Sequence, residues 1–277
     1  MIILKSKPRL YVHASKIEEI SRLEAQAKAL EVIFEKELNL LNLKPGIQVL
    51  DAGCGTGAKS RKIALRVKPG QVFGIDLDPV FIKHAKEFAQ NKGIKNIRFE
   101  VGNIDDLRFN DALFDLTYCS LVLMHVYNPV NTLIELKRVT KPGGYVTVSD
   151  NDDGGIIAFP NSPKFFTLWN KYGELAKNRG EDRHIGRQLF SLMSQAGFHS
   201  IKIYPLPLHA TQENPSMLQM LVSVPLQILQ QEREEMIQVG LATAQDFEEA
   251  IKEVQLTLKN PGAFIMGITF FSIGRVI

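Results

Sequence analysis

Apolar residues come in short blocks along the first half of this chain, at 49–52, 71–75, 96–101, 113–120 and 145–149. Each block predicts a strand. Helical signals fall between them. Asp78 followed by Pro79 is an N-cap and first-turn pair that predicts a helix to about Asn91, and Asn128-Pro129 opens another reaching Val139. Ahead of the first strand, Ile17, Ile20, Leu23, Ala27, Leu30, Phe34, Leu38 and Leu41 recur at helical spacing, with Ser15 and Glu18 as a capping-box pair. That pattern predicts one long helix whose apolar face lies on the sheet layer.

The alternation breaks at residues 151–186. This insertion carries Asn151-Asp152-Asp153-Gly154-Gly155 and then a helical run with Phe165, Phe166, Trp169 and Tyr172. These aromatics either line a pocket or form the core of a cap, and their helical spacing favours the core. A helix over 187–196 ends at Gly197, and a strand follows at 201–204. Helical stretches occupy 215–231 and 244–258, and Asn260-Pro261-Gly262 turns the chain into a last strand at 263–273.

The chemistry concentrates where the first strand ends, in Val49-Leu50-Asp51-Ala52-Gly53-Cys54-Gly55-Thr56-Gly57. Glycines at a strand-to-helix turn let a ligand lie against the backbone. Asp51 narrows the choice: a carboxylate there repels a pyrophosphate and attracts an ammonium group. Gly53, Gly55 and Ala58 also satisfy the looser dinucleotide pattern, with Asp76 about 20 residues on, so a nicotinamide cofactor is a rival reading. Asp76 ends the second strand, where it can accept both hydroxyls of a ribose.

In this glycine motif, in Asp76, and in the order and spacing from Phe114 to Val148, the sequence resembles the class I S-adenosylmethionine (SAM)-dependent methyltransferases. The resemblance implies an α/β fold: a Rossmann-like, doubly wound, seven-stranded, mostly parallel sheet with helical cap insertions. It implies SAM as cofactor and S-adenosylhomocysteine (SAH) as product. It places Asp51, Gly53, Cys54, Gly55, Asp76, Leu77, Asn103, Ile104, Ser120 and Leu121 along the cofactor, with Leu77 on the adenine and Tyr11 touching SAM from an amino-terminal arm. Relatives often have Asp where this chain has Asn103, but an amide oxygen can accept the same bond from the adenine amino group.

The expected organisation is an arm and helix over the cofactor site (1–44), a SAM-binding core (45–150) and a remainder with the substrate-side cap (151–277). The expected reaction is methyl transfer to a small molecule by in-line displacement. The alternatives are a methyltransferase of tRNA or protein, or a SAM-binding regulatory protein without turnover. His125 and His184 are candidate bases, neither with a partner visible in the sequence.

Composition adds exclusions. The 277 residues carry a net charge of +3, too slight to argue for a nucleic-acid partner, with 45% hydrophobic and 23% charged residues as in a soluble globular chain. Two cysteines, Cys54 and Cys119, give no disulfide framework, and no metal-ligand spacing is present. A cytoplasmic monomer or homodimer without a membrane span is expected.

Overall fold

The computed structural model describes residues 17–277, with side chains from Glu19 onward. The cap at Ser15–Glu18 and the contact expected of Tyr11 lie outside the described residues.

Five strands run parallel in the order β3-β2-β1-β4-β5: β1 (Gln48–Ala52), β2 (Gln71–Asp76), β3 (Ile97–Val101), β4 (Phe114–Ser120) and β5 (Thr140–Asn151). Val49, Leu50 and Ala52 are fully buried, as a central parallel strand covered on both faces requires. Helices α3 (Ala58–Val67), α4 (Pro79–Asn91) and α5 (Pro129–Val139) make the crossovers. The caps match the sequence: Asp78 accepts from Val80 N at 2.7 Å with Pro79 following, and Asn128 accepts from Asn131 N at 3.2 Å.

The far edge is more elaborate than seven strands. β8 (Phe264–Arg275) runs antiparallel to β5, and β7 (His199–Thr211) pairs antiparallel along its whole length. An eighth, three-residue strand, β6 (Ile157–Phe159), pairs with Phe264–Met266 of β8. Because β7 fills one edge of β8, β6 continues the edge that β5 occupies. The insertion therefore begins as a break in one strand line.

The expected long helix is two. α1 (Ile17–Ala29) and α2 (Glu31–Leu41) meet at Leu30. The reason is that the two halves cover different things. Ile33, Phe34 and Leu38 of α2 pack on the sheet core, as expected, whereas Leu23, Ala27 and Leu30 line a cavity beyond the sheet edge. Glu24 fixes α1 there, accepting from Thr56 Oγ1 at 2.5 Å and from Arg61 at 2.7 Å.

Helices α6 (Pro163–Asn178), α8 (Pro215–Gln238) and α9 (Ala244–Lys259) form the cap with their own core, built on Phe165, Leu168, Trp169, Leu229, Met236 and Phe247. The remaining helix, α7 (Leu189–Gln195), follows a short 3-10 turn at Ile185–Gln188 and packs against the sheet. Among the described residues no helix is long and apolar enough to cross a membrane.

Candidate functional site

β1 pairs with β2 on one side and β4 on the other, so the strand order reverses at β1, and at such a point ligands bind beyond the carboxyl ends of the strands. A cavity of about 1450 Å³ opens there, bounded by α1 and the cap. All ten expected cofactor residues within the described part line it: Asp51, Gly53, Cys54, Gly55, Asp76, Leu77, Asn103, Ile104, Ser120 and Leu121.

The glycines serve different ends. Gly55 has φ +53° and nothing within 4 Å of where a Cβ would stand, so its backbone is open to the cavity. Gly57, at φ +74°, is pressed against Phe99, whose ring would lie 2.5 Å from an added Cβ. The first permits close approach of a ligand; the second permits the turn itself. The turn hangs on β2, since Gly53 N and Cys54 N both donate to Ile75 O at 2.8 Å.

Asp76 also accepts from the turn, taking Gly55 N at 2.8 Å on one oxygen and Asp78 N at 3.0 Å on the other. Each carboxylate oxygen keeps further acceptor capacity, so the group suits a vicinal diol. Burial raises its pKa, partly offset by those backbone donors. Asp51 is 3% exposed and accepts from the Ser60 hydroxyl, and burial pushes its carboxyl up to about 6. It is ionised at neutral pH, fit for an ammonium group.

Asn103 shares its side chain. Its Oδ1 accepts from Asp105 N at 3.0 Å, capping the turn after β3 while the residue lines the cavity. Leu121 has φ +57°, an uncommon conformation for a side chain of its size, and its N–H donates to Ser149 O at 2.7 Å.

The two histidines part company. His184 is exposed and does not line the cavity. His125 does line it, with Nδ1 at 3.5 Å from Glu181 of the insertion. Burial works to raise the Glu181 pKa, but its bond to His125 and the charges of His125, Arg183 and Arg179 hold it below the usual carboxylate range. The loop carrying Glu181 is clipped to the His125 turn by Asp182 N on Met124 O at 2.9 Å and by Arg183 on Met124 Sδ at 3.2 Å. Beneath that turn lies Asp150, which accepts from Leu123 N at 3.2 Å and is pushed up to about 7 by burial.

Sequence reasoning missed Glu181 and Lys59. The His125–Glu181 pair joins residues 56 apart, and no local spacing announces it. Lys59 stands two residues beyond Gly57, close enough to the glycine turn to be open to suspicion. Its Nζ lies 2.6 Å from Ser120 Oγ and 3.7 Å from Glu37, a fully buried carboxylate that also accepts from Tyr118 and, at 2.5 Å, from Ser149. Of the four insertion aromatics, Trp169 and Tyr172 line the cavity while also joining the cap core; Phe165 and Phe166 belong to the cap alone. Among the described residues no group of His, Cys, Asp and Glu is arranged to hold a metal ion.

A strand-order switch, an open glycine turn and an acid at each of the first two strands define a Rossmann-like nucleoside-binding α/β protein. A family model described as a methyltransferase domain matches residues 43–197, more than half of the chain, and the chain belongs to that family, the class I SAM-dependent methyltransferases. It is 31% identical over 161 residues to phosphoethanolamine N-methyltransferase 1 of Arabidopsis thaliana, covering 58% of this chain and 30% of that one. It is 30% identical over 139 residues to the demethylmenaquinone methyltransferase of Bacillus cytotoxicus, covering 50% and 57%. The chain thus spans between 30% and 57% of the length of these curated relatives. The crystal structure of the YcgJ protein from Bacillus subtilis shares the fold, with a TM-score of 0.58 at 18% identity over 90% of this chain and 98% of that one.

Proposed function

We propose that the protein transfers a methyl group from SAM to a small-molecule acceptor. The observation that carries this reading is the convergence of the open Gly55 backbone, Asp76 and ionised Asp51 on one cavity, whose two carboxylate acceptors match a diol at one end of a ligand and an ammonium at the other. SAM, when bound, supplies a sulfonium methyl already activated for in-line displacement.

The chain's own part is positioning and exclusion of water, a contribution that can reach roughly 7–11 kcal/mol. Asp76 would hold the ribose hydroxyls, Asp51 the ammonium, Leu77 and Ile104 the adenine faces, with Asn103 sharing its oxygen between its own turn and the adenine edge. Gly53, Cys54, Ser120 and Leu121 would complete the contact. His125, oriented by Glu181, would take the proton from a hydroxyl or acidic-carbon acceptor. Residues up to 44 cover the donor, 45–150 hold it, and 151–277 receive the acceptor. The working form is proposed to be a cytoplasmic monomer or homodimer that acts without nucleic acid.

Calorimetry with SAM and SAH tests the assignment. Asp76→Ala should keep the fold and weaken both ligands about 10- to 150-fold, the equivalent of about 1.5–3 kcal/mol for bonds to a charged acceptor. Equal affinity in variant and parent would remove Asp76 from the site, and no affinity in the parent would refute the function.

A further inference from the structure

The cavity is larger than its donor end requires. Small-molecule pockets run to about 300–1,000 Å³, and here a continuous space of about 1450 Å³ reaches from the glycine turn to the inner face of α8. That helix carries two apolar stripes. One, with Leu218, Val222, Leu229 and Met236, is buried in the cap core. The other, with Met220, Leu221, Val224, Pro225 and Ile228, recurs every three or four residues on the cavity wall and is only partly covered by protein. Leu208 of β7 and Ile265 and Ile268 of β8 face the same space from the sheet side, and Ile156 faces it from the insertion.

Arg179, Glu181 and Arg183 of the 179–183 loop also line the cavity, and each is paired. Arg183 is held by Asp153 at 2.9 Å, Arg179 by Glu232 at 2.6 Å, and Glu181 by His125. The α8 and β8 walls lie outside residues 43–197, so apart from Ile156 the residues named on this lobe are no part of the stretch that the family model matches.

Building on the proposed methyl transfer, we infer that the acceptor is an amphiphile: an extended apolar body lies along α8 and a hydroxyl-bearing head points to His125. Trp169 and Tyr172 line the same cavity, with the Arg183 guanidinium 6.0 and 5.4 Å from their ring centres. Trp169 is the sole tryptophan of the chain, so its fluorescence reports on the lobe without labelling.

The test titrates the SAH-loaded protein with 4-methyl-, 4-butyl- and 4-octylphenol and, separately, with phosphoethanolamine, following Trp169. Each methylene added to the phenol should tighten binding about fourfold, equivalent to about 0.8 kcal/mol. Phosphoethanolamine should leave the signal unchanged. Val224→Gln should flatten the chain-length dependence while SAH affinity by calorimetry stays that of the parent, which also shows that the variant is folded. A flat series in the parent protein, or tighter binding of phosphoethanolamine than of octylphenol, overturns the inference while leaving methyl transfer intact. Loss of SAH binding by the parent protein itself overturns methyl transfer instead.

Discussion

Asp51 and Asp76 stand at neighbouring strand ends, yet their surroundings assign them different work. Asp76 is anchored by two backbone donors; Asp51 accepts from one hydroxyl and meets the cavity with only a small exposed edge. With its pKa at about 6, Asp51 loses its charge just below neutrality. Grip on an ammonium needs the ionised form, so affinity for SAM and SAH should fall as pH drops through 6. Between pH 7.5 and 5.5 the ionised fraction declines about fourfold, and the dissociation constants should rise by that factor in calorimetry at the two pH values. Stability moves the other way. The folded-state pKa lies above the ordinary value of 3.8, so the folded protein binds this proton more readily, and the Asp51 contribution favours folding as pH falls from 6 toward 4. Asp51→Asn should weaken both ligands at pH 7.5 and abolish this part of the pH dependence. His125 offers a second residue-level prediction. If the acceptor is a hydroxyl, His125→Ala should lower kcat about 10²- to 10⁴-fold with SAH affinity unchanged. Glu181→Gln should reduce kcat less and shift its pH profile. A variant of His125 with parental kcat would return that residue to a packing role.

At the scale of elements, the glycine turn separates folding from binding. Gly57→Ala forces a side chain into the left-handed region and against Phe99, so it should cost about 2–4 kcal/mol and lower the melting temperature by several degrees. Gly55→Ala meets open space and should cost little beyond its backbone strain, while its methyl group intrudes where the cofactor lies; SAH affinity, not melting temperature, should report it. Much of this was legible in the sequence. The turn, the caps at Asp78 and Asn128 and the parallel core follow from local residue choice, because strand length, glycine and capping side chains act within a few positions. The split at Leu30 was not legible, since its two flanking stripes have one helical period and differ only in what they face. Nor was β6, whose three residues, flanked by the break at Asp152–Ile156, form a strand only because β8 has an edge left beyond β5.

The whole molecule divides its cavity between local and distant parts of the chain. Every donor-side residue sits within a few positions of a strand end, and sequence order alone brought those strand ends to attention. The proposed acceptor side is assembled from the insertion, α8 and β8, more than a hundred residues apart at the extremes, so its chemistry emerges only after folding. Glu181 shows the same dependence: it is an unremarked acid until Asp182 docks on Met124 and brings it to His125. The Trp169 titration belongs at this scale, because its outcome depends on walls from several elements at once.

Pro225 interrupts the backbone ladder of α8 midway along the apolar wall, where it removes one donor, the usual origin of a helix bend. Where the wall bows at that break, the proposed acceptor lobe is a curved trough instead of a straight channel. Its clients should therefore be sorted by how readily they flex: supple tails can follow the arc, and stiff rods of equal length cannot.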